Sequence, residues 1–323
     1  MCDDKKPTVI PLFPDQYTPP SAEDEIVYEK RITFADVGGL AEFKKLAQIK
    51  IIQPFKSPEL FKKFKKSAGG GILLYGPPGC GKTYLSRAIA GECDCEFINV
   101  GIDQVLDMYL GNSEKNVASL FQRARQSAPA VLFIDEIDAL GRRRDQNRSS
   151  AGLSVVNTFL KEMDGLASQN KNVLILAATN AIWDVDTALK RPGRFDNVLF
   201  VAPPDEEARK DILDINLAGL PVKNIDTAEL ARETKLFSGA DLVEVVNKAS
   251  ESVLMEILEN GGHERDIEQK DLLRARKAAS PSTLEWLKTA ENYIKFANDT
   301  GIYDTLESYM KGKGLLVKKK WFF

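Results

Sequence analysis

Gly76-Pro77-Pro78-Gly79-Cys80-Gly81-Lys82-Thr83 fits the pattern G-x4-G-K-[ST]. Glycines at this spacing let backbone N–H groups turn inward around phosphate oxygens, and a helix starting beside them adds partial positive charge. In that chemistry Lys82 reaches the β- and γ-phosphates and Thr83 ligates Mg²⁺. The competing reading is a glycine-rich turn with a chance lysine. Context disfavours it, because an apolar run precedes the loop and a helical stretch follows. A second cluster, Val131-Leu132-Phe133-Ile134-Asp135-Glu136, is an apolar strand ending in two acids. Asp135 would hold Mg²⁺ through water, as in other phosphate-loop enzymes. Glu136 would polarise the attacking water as general base. Two solvated acids at a strand end are the plain alternative, and a poor one beside a phosphate loop. Ala177-Ala178-Thr179-Asn180 ends a third strand, and Asn180 would sit between the other two strand ends, orienting water or sensing the γ-phosphate. Alone that signal is weak. Together the three sets point to binding and hydrolysis of Mg-ATP.

These residues need a scaffold that brings strand ends together. β-Branched and aliphatic runs at 71–75, 96–100, 130–135, 172–178 and 196–201 suit strands covered on both faces. Helical stretches at 81–91, 113–127 and 151–166 separate them, and such alternation predicts a parallel five-stranded sheet flanked by helices, an α/β fold. After Pro203-Pro204 the strands stop. Residues 205–217, 226–234, 239–259 and 268–279 read as helices, with Asp205 and Asp226 as N-caps and Gly261-Gly262 as a stop. The predicted organisation is an extended proline-rich arm at 1–30, a large α/β domain at 31–203, a small all-helical lid at 204–280, and a C-terminal helical extension with a basic-aromatic tail at 281–323. Within the extension, helices are expected at 283–297 and 303–311.

Bulk properties exclude some classes. A net charge of −3 over 323 residues argues against a nucleic-acid binder working by bulk electrostatics. No apolar run reaches the roughly 18 residues of a membrane span. Met1-Cys2-Asp3-Asp4 lacks the basic and apolar regions of a secretory signal. The four cysteines and the single histidine, His263, have no zinc-ligand spacing, and His263-Glu264 is not followed by a second histidine, which rules out a zinc protease motif. Reduced thiols in a cytoplasmic protein are the expectation. Cys80 lies near a helix N-terminus, which can lower a thiol pKa, with a packing thiol as the default reading.

The set resembles the AAA family of hexameric ATPases, in the branch with valosin-containing-protein, proteasomal and katanin-like members. Phe34-Ala35-Asp36-Val37-Gly38-Gly39-Leu40 is similar to the segment that leads into the family's ATPase core. Leu189-Lys190-Arg191-Pro192-Gly193-Arg194-Phe195-Asp196 resembles the end of its second region of homology, and Phe237-Ser238-Gly239-Ala240-Asp241 its helical-domain signature. The resemblance implies nucleotide contacts from Asp36, Gly38, Pro78, Gly79, Cys80, Gly81, Lys82, Thr83, Tyr84 and Asp135. Ile212, Asn216, Gly239 and Ala240 join them, although many relatives have histidine at the Asn216 position. Glu136 and Asn180 are implied as catalytic, with Arg191 and Arg194 reaching into a neighbouring subunit's ATP. Thr83 and Asp135 are the implied Mg²⁺ positions. Surface arginines are the plain alternative for Arg191 and Arg194.

The resemblance also implies a homo-oligomeric ring, a hexamer. Met108-Tyr109-Leu110-Gly111 then faces a central pore, where Tyr109 grips an extended protein or peptide substrate through apolar contact. A tyrosine packed under a loop is the alternative. The basic segment 141–152 reads as a second pore loop or a solvated surface loop. Met163-Asp164-Gly165-Leu166 resembles a segment reporting nucleotide state between subunits. Trp321-Phe322-Phe323 loosely resembles the terminus with which proteasomal ATPases dock onto a peptidase. A peptidase or an adaptor is therefore a candidate partner, as are a membrane surface or the chain's own body. The expected function is a motor that unfolds, threads or remodels proteins. The alternatives are disassembly of a specific polymer or membrane-remodelling complex, and a non-threading ATP-dependent assembly switch. With about thirty residues before the core, substrate choice is expected to lie in the arm, the tail or an adaptor.

Overall fold

The apolar runs form a parallel sheet in the computed structural model of the chain, which describes residues 31–64, 70–101, 112–140, 150–164, 172–195, 197–259, 261–298 and 301–316. The strands are β1 (Gly70–Tyr75), β2 (Glu96–Val100), β3 (Ala130–Ile134), β4 (Val173–Thr179) and β5 (Asn197–Phe200), in the order β2-β3-β4-β1-β5. Every pair is parallel. Every residue of β3 and β4 is buried, as expected of inner strands covered on both faces.

Side chains alternate across a strand, so the sheet presents two apolar faces. On one face Ile72, Leu74, Phe133 and Leu176 pack against Phe43 and Ala47 of α1 (Ala41–Ala47), which the short α2 (Gln53–Lys56) and α3 (Pro58–Lys63) follow, and against Leu85 and Ile89 of α4 (Lys82–Cys93). On the other, Leu73, Leu132, Ile134 and Ile175 meet Phe121 of α5 (Asn112–Gln126) and Phe159 of α6 (Ser150–Asp164). Strand-helix alternation with helices on both sides is the doubly covered architecture predicted above.

Past Pro203 four helices enclose a core of their own. They are α7 (Glu206–Leu217), α8 (Thr227–Glu233), α9 (Gly239–Glu259) and α10 (Gln269–Ala278), with Leu213, Leu230, Phe237, Leu242 and Leu272 at the centre. The caps form where the sequence puts them. Asp205 accepts from Ala208 N at 2.9 Å and Asp226 from Glu229 N at 2.9 Å. Gly261 takes a left-handed φ of 75° and the N–H of Gly262 returns to Ile257 O, closing α9. The buried guanidinium of Arg209 bonds the carbonyls of Pro204 and Ala231, tying α7 to α8. This lid also holds a two-residue parallel pair, Val222–Lys223 with Ile267–Glu268, where no strand was expected. Two residues carry no readable alternation, and the pairing follows from tertiary placement.

Helices α11 (Thr283–Ala297) and α12 (Asp304–Gly312) return to the large domain. Trp286, Leu287, Ile294, Leu306 and Met310 join the core with α5 and α6. The segment set apart as an extension thus completes one face of the sheet. Among the described residues no helix is long and apolar enough to cross a membrane.

Candidate active site

The C-terminal ends of β1, β3 and β4 lie side by side, and the predicted chemistry gathers there. In parallel α/β sheets this edge is where ligands bind. The loop Gly76–Thr83 runs from β1 into α4. A Cβ on Gly76 would lie 2.2 Å from Val201 O, so only glycine fits. Gly79 has φ +72°, and a Cβ there would lie 2.8 Å from Ala240 Cβ and from Ser238 Oγ. Close approach of the lid therefore fixes that position as glycine.

Lys82 is buried and its Nζ donates to Gly76 O (3.0 Å), Pro77 O (2.8 Å) and Asn180 Oδ1 (2.7 Å). Burial lowers its pKa to about 8, against the opposing pull of Asp135 and Asp138. Thr83 Oγ1 donates to Asp135 Oδ2 at 2.9 Å, and Glu136 N donates to Asp135 Oδ1 at 2.9 Å. Glu136 is exposed and holds a left-handed φ of 53°, a backbone state costing roughly 1–3 kcal/mol that local structure must enforce. Its backbone is thereby held directly beside the Asp135 carboxylate that Thr83 bonds. Asn180 joins the set through Lys82.

A supporting pair went unread in the sequence. Asp138 is buried and accepts from Thr179 Oγ1 at 2.7 Å, while the same hydroxyl accepts from Ala181 N. It links the ends of β3 and β4 just behind Glu136 and Asn180. An acid two residues after Glu136 is visible in the sequence, but only burial distinguishes it from a solvated one. Burial also decides the state of Cys80, pushing the thiol up to about 12 despite Lys82 nearby. The helix-terminus effect is overridden, and Cys80 is a packing thiol.

Beside the loop, three segments converge. A Cβ on Gly38 would lie 3.0 Å from Asp211 Cβ, and one on Gly239 would lie 3.2 Å from Gly79 O and 3.8 Å from Ile212 Cδ1. Ala240 N donates to Gly79 O at 3.2 Å. Ile212, Gly239 and Ala240 therefore border the phosphate loop, and Gly38 packs on the same helix one residue away, at Asp211. Two residues are turned otherwise. The Asp36 carboxylate accepts from Thr33 N and Oγ1, leaving its backbone carbonyl to accept from Tyr84 OH at 3.3 Å. Asn216 Nδ2 donates to Ile212 O along its own helix at 2.7 Å.

The two arginines stand apart from this cluster. Arg194 bonds both oxygens of Asp164, at 2.8 and 2.9 Å, and Ala188 O at 2.8 Å. That pairing holds the Asp164 carboxyl below the usual carboxylate range. Arg191 is exposed and makes no side-chain hydrogen bond among the described residues. Tyr109 and the rest of Met108–Gly111, residues 141–149, Gly165 and Leu166, Asp196, the arm at 1–30 and the tail from 317 lie outside the described residues.

The donors present fit a magnesium nucleotide. A loop closed by glycines offers backbone N–H groups, Lys82 adds a buried cation, and a hydroxyl with a carboxylate are the hard oxygen donors Mg²⁺ prefers. Comparison with known families agrees. Residues 72–203 match the profile described as ATPase family associated with various cellular activities (AAA), and residues 224–269 match the profile described as AAA+ lid domain.

Proposed function

The chain carries an AAA ATPase domain followed by an AAA+ lid domain and hydrolyses ATP; from that premise we propose that it works as a subunit of a ring motor acting on protein substrates. One observation carries the reading. Lys82, Thr83, Asp135, Glu136 and Asn180 converge with no arginine beside them among the described residues, while Arg191 is exposed and Arg194 is clasped by Asp164. Phosphoryl transfer spreads charge over the transferred group's oxygens, and an arginine offsets it. A second subunit supplying Arg191 and Arg194 would complete the site.

Within one subunit the roles divide as follows. Backbone N–H groups of Gly79, Cys80 and Gly81 and the Lys82 ammonium hold the phosphates, with Pro78 shaping the turn before them. Thr83 and Asp135 hold Mg²⁺, which when bound neutralises charge on the phosphate oxygens. Glu136 takes a proton from the attacking water, and Asn180 orients that water. Gly38, Ile212, Gly239 and Ala240 cover the base, with Asp36 and Tyr84 bracing the segment behind it and Asn216 contributing through α7. The signature Phe237–Asp241 supports the branch of valosin-containing-protein, proteasomal and katanin-like ATPases.

The buried lysine gives a pH signature. A triphosphate favours the ammonium, so the bound-state pKa lies above the free value of about 8, and binding takes up a proton above that pH. Affinity for Mg-ATP should be flat below pH 8 and fall by up to about tenfold per pH unit above it, since one pKa unit is one decade. Anisotropy of a fluorescent ATP analogue across the alkaline range measures this, and a flat profile would contradict it. The threading role rests on Met108–Gly111. Tyr109→Ala should keep basal ATPase within about twofold while abolishing unfolding of a tagged fluorescent protein. Unfolding at the wild-type rate would sink the pore-grip role of Tyr109, and no unfolding by the wild-type protein would favour a non-threading switch.

A further inference from the structure

Trp286 is 8 % exposed in the core that α11 builds against the sheet. Its ring sits between Trp183, with centroids 5.6 Å apart, and Phe200, at 6.2 Å. Trp183 in turn stacks on Tyr293 at 4.7 Å. A buried indole N–H needs an acceptor, and here it is the backbone carbonyl of Asn180. Asn180 follows Thr179, the last residue of β4 paired to β1, so the ladder no longer fixes its carbonyl. The side chain of the same residue accepts from Lys82 Nζ. One indole therefore fixes the backbone of the residue that touches the phosphate-loop lysine.

The helix carrying Trp286 is itself anchored. Ser282 donates from N and Oγ to Asp241 Oδ2, at 3.1 and 3.0 Å, and that oxygen also accepts from Ser238 N at 2.7 Å. Thr283 Oγ1 donates to Leu236 O. These bonds hold the start of α11 to the start of α9, where Ala240 bonds Gly79. The helix thus spans from the lid beside the phosphate loop to the end of β4.

We infer that Trp286 is a positioning residue for ATP hydrolysis, acting through Asn180. The inference rests on the role given to Asn180 above. An indole N–H is a single directional donor, so it sets the orientation of the Asn180 peptide and through it the direction of the amide. Misplacing a group that orients a reactant lowers turnover more than binding.

Trp286→Phe keeps an aromatic ring and removes the donor. Its kcat should fall about tenfold with KM for ATP within about twofold. In nucleotide-free protein, the acylation rate of Lys82, followed by mass spectrometry, should rise in Trp286→Phe and in Asn180→Ala, because each loosens the same acceptor. Asn180→Ala keeps the carbonyl that Trp286 bonds and should lower kcat by itself, and adding Trp286→Phe should cost nothing further. Tyr293→Leu removes an aromatic contact from the same cluster without touching Asn180, and should lower Tm while leaving kcat and Lys82 labelling unchanged. A Trp286→Phe protein with lower Tm but wild-type kcat and labelling would reduce Trp286 to packing. If Asn180→Ala is impaired and Trp286→Phe is not, this inference alone falls. If Asn180→Ala turns over normally, the assignment of Asn180 falls first and this one with it.

Discussion

Glu136→Gln protein should bind Mg-ATP with wild-type affinity and hydrolyse it about 10²- to 10⁴-fold more slowly, the range by which a positioned general base accelerates a reaction. The exchange is nearly isosteric, so what changes is the ability to take a proton. Binding should survive because the groups that hold the nucleotide are elsewhere: Lys82 on its carbonyls and Asn180, and Thr83 on Asp135. The backbone N–H that ties Glu136 to Asp135 is also unchanged by the substitution. The left-handed backbone at residue 136 accepts glutamine as it accepts glutamate, so folding should not be the limiting factor. Equilibrium binding of a fluorescent analogue and steady-state phosphate release measure the two halves separately. Turnover near the wild-type rate would exclude Glu136 as the base. Loss of binding would place it in nucleotide capture instead. A protein that binds without turning over should also hold any ring in its ATP-bound assembly, visible as a larger species in sizing with ATP.

Much of this site was legible because its signals are contiguous. The phosphate loop and Asp135-Glu136 are each written in one short segment, and the central strands announce themselves because both faces are covered. What stayed hidden depends on partners far apart in sequence. Asp138 meets Thr179 across 41 residues, Arg194 meets Asp164 across 30, and Trp286 meets Asn180 across 106. No local periodicity encodes such pairs. Local rules also lose to burial. The thiol of Cys80 is raised where a helix terminus alone would lower it. The C-terminal helices read as an appendage because their apolar faces name no destination. Only the packed core shows that they cover the sheet.

The arginines give the other large effect. Arg191→Ala should lower kcat by about 10³-fold or more, the scale of an arginine supplied to phosphoryl transfer, while nucleotide binding to each subunit stays intact. Arg191 is the sharper test of the pair, because its exposed side chain has no intramolecular bond among the described residues to confuse the result. Arg194 must first leave Asp164, and its loss also removes the tie to Ala188 O. The Asp164 partner is an exposed single-charge carboxylate, so a neighbouring subunit's triphosphate, with more charge, can compete with it for the guanidinium. Mixing separates donation between subunits from a role within one. Arg191→Ala and Glu136→Gln subunits should each be inactive alone. In a co-assembled ring, a site whose own subunit keeps Glu136 and whose neighbour keeps Arg191 is complete, so roughly a quarter of sites should recover in a random equal mixture. Activity that stays at the level of the separate proteins would require both residues to serve the same subunit's ATP. Full activity of Arg191→Ala alone would make Arg191 a surface residue and pass the role to Arg194. Recovery on mixing has one physical meaning: the glycine loop of one chain and the arginine of the next belong to the same reaction.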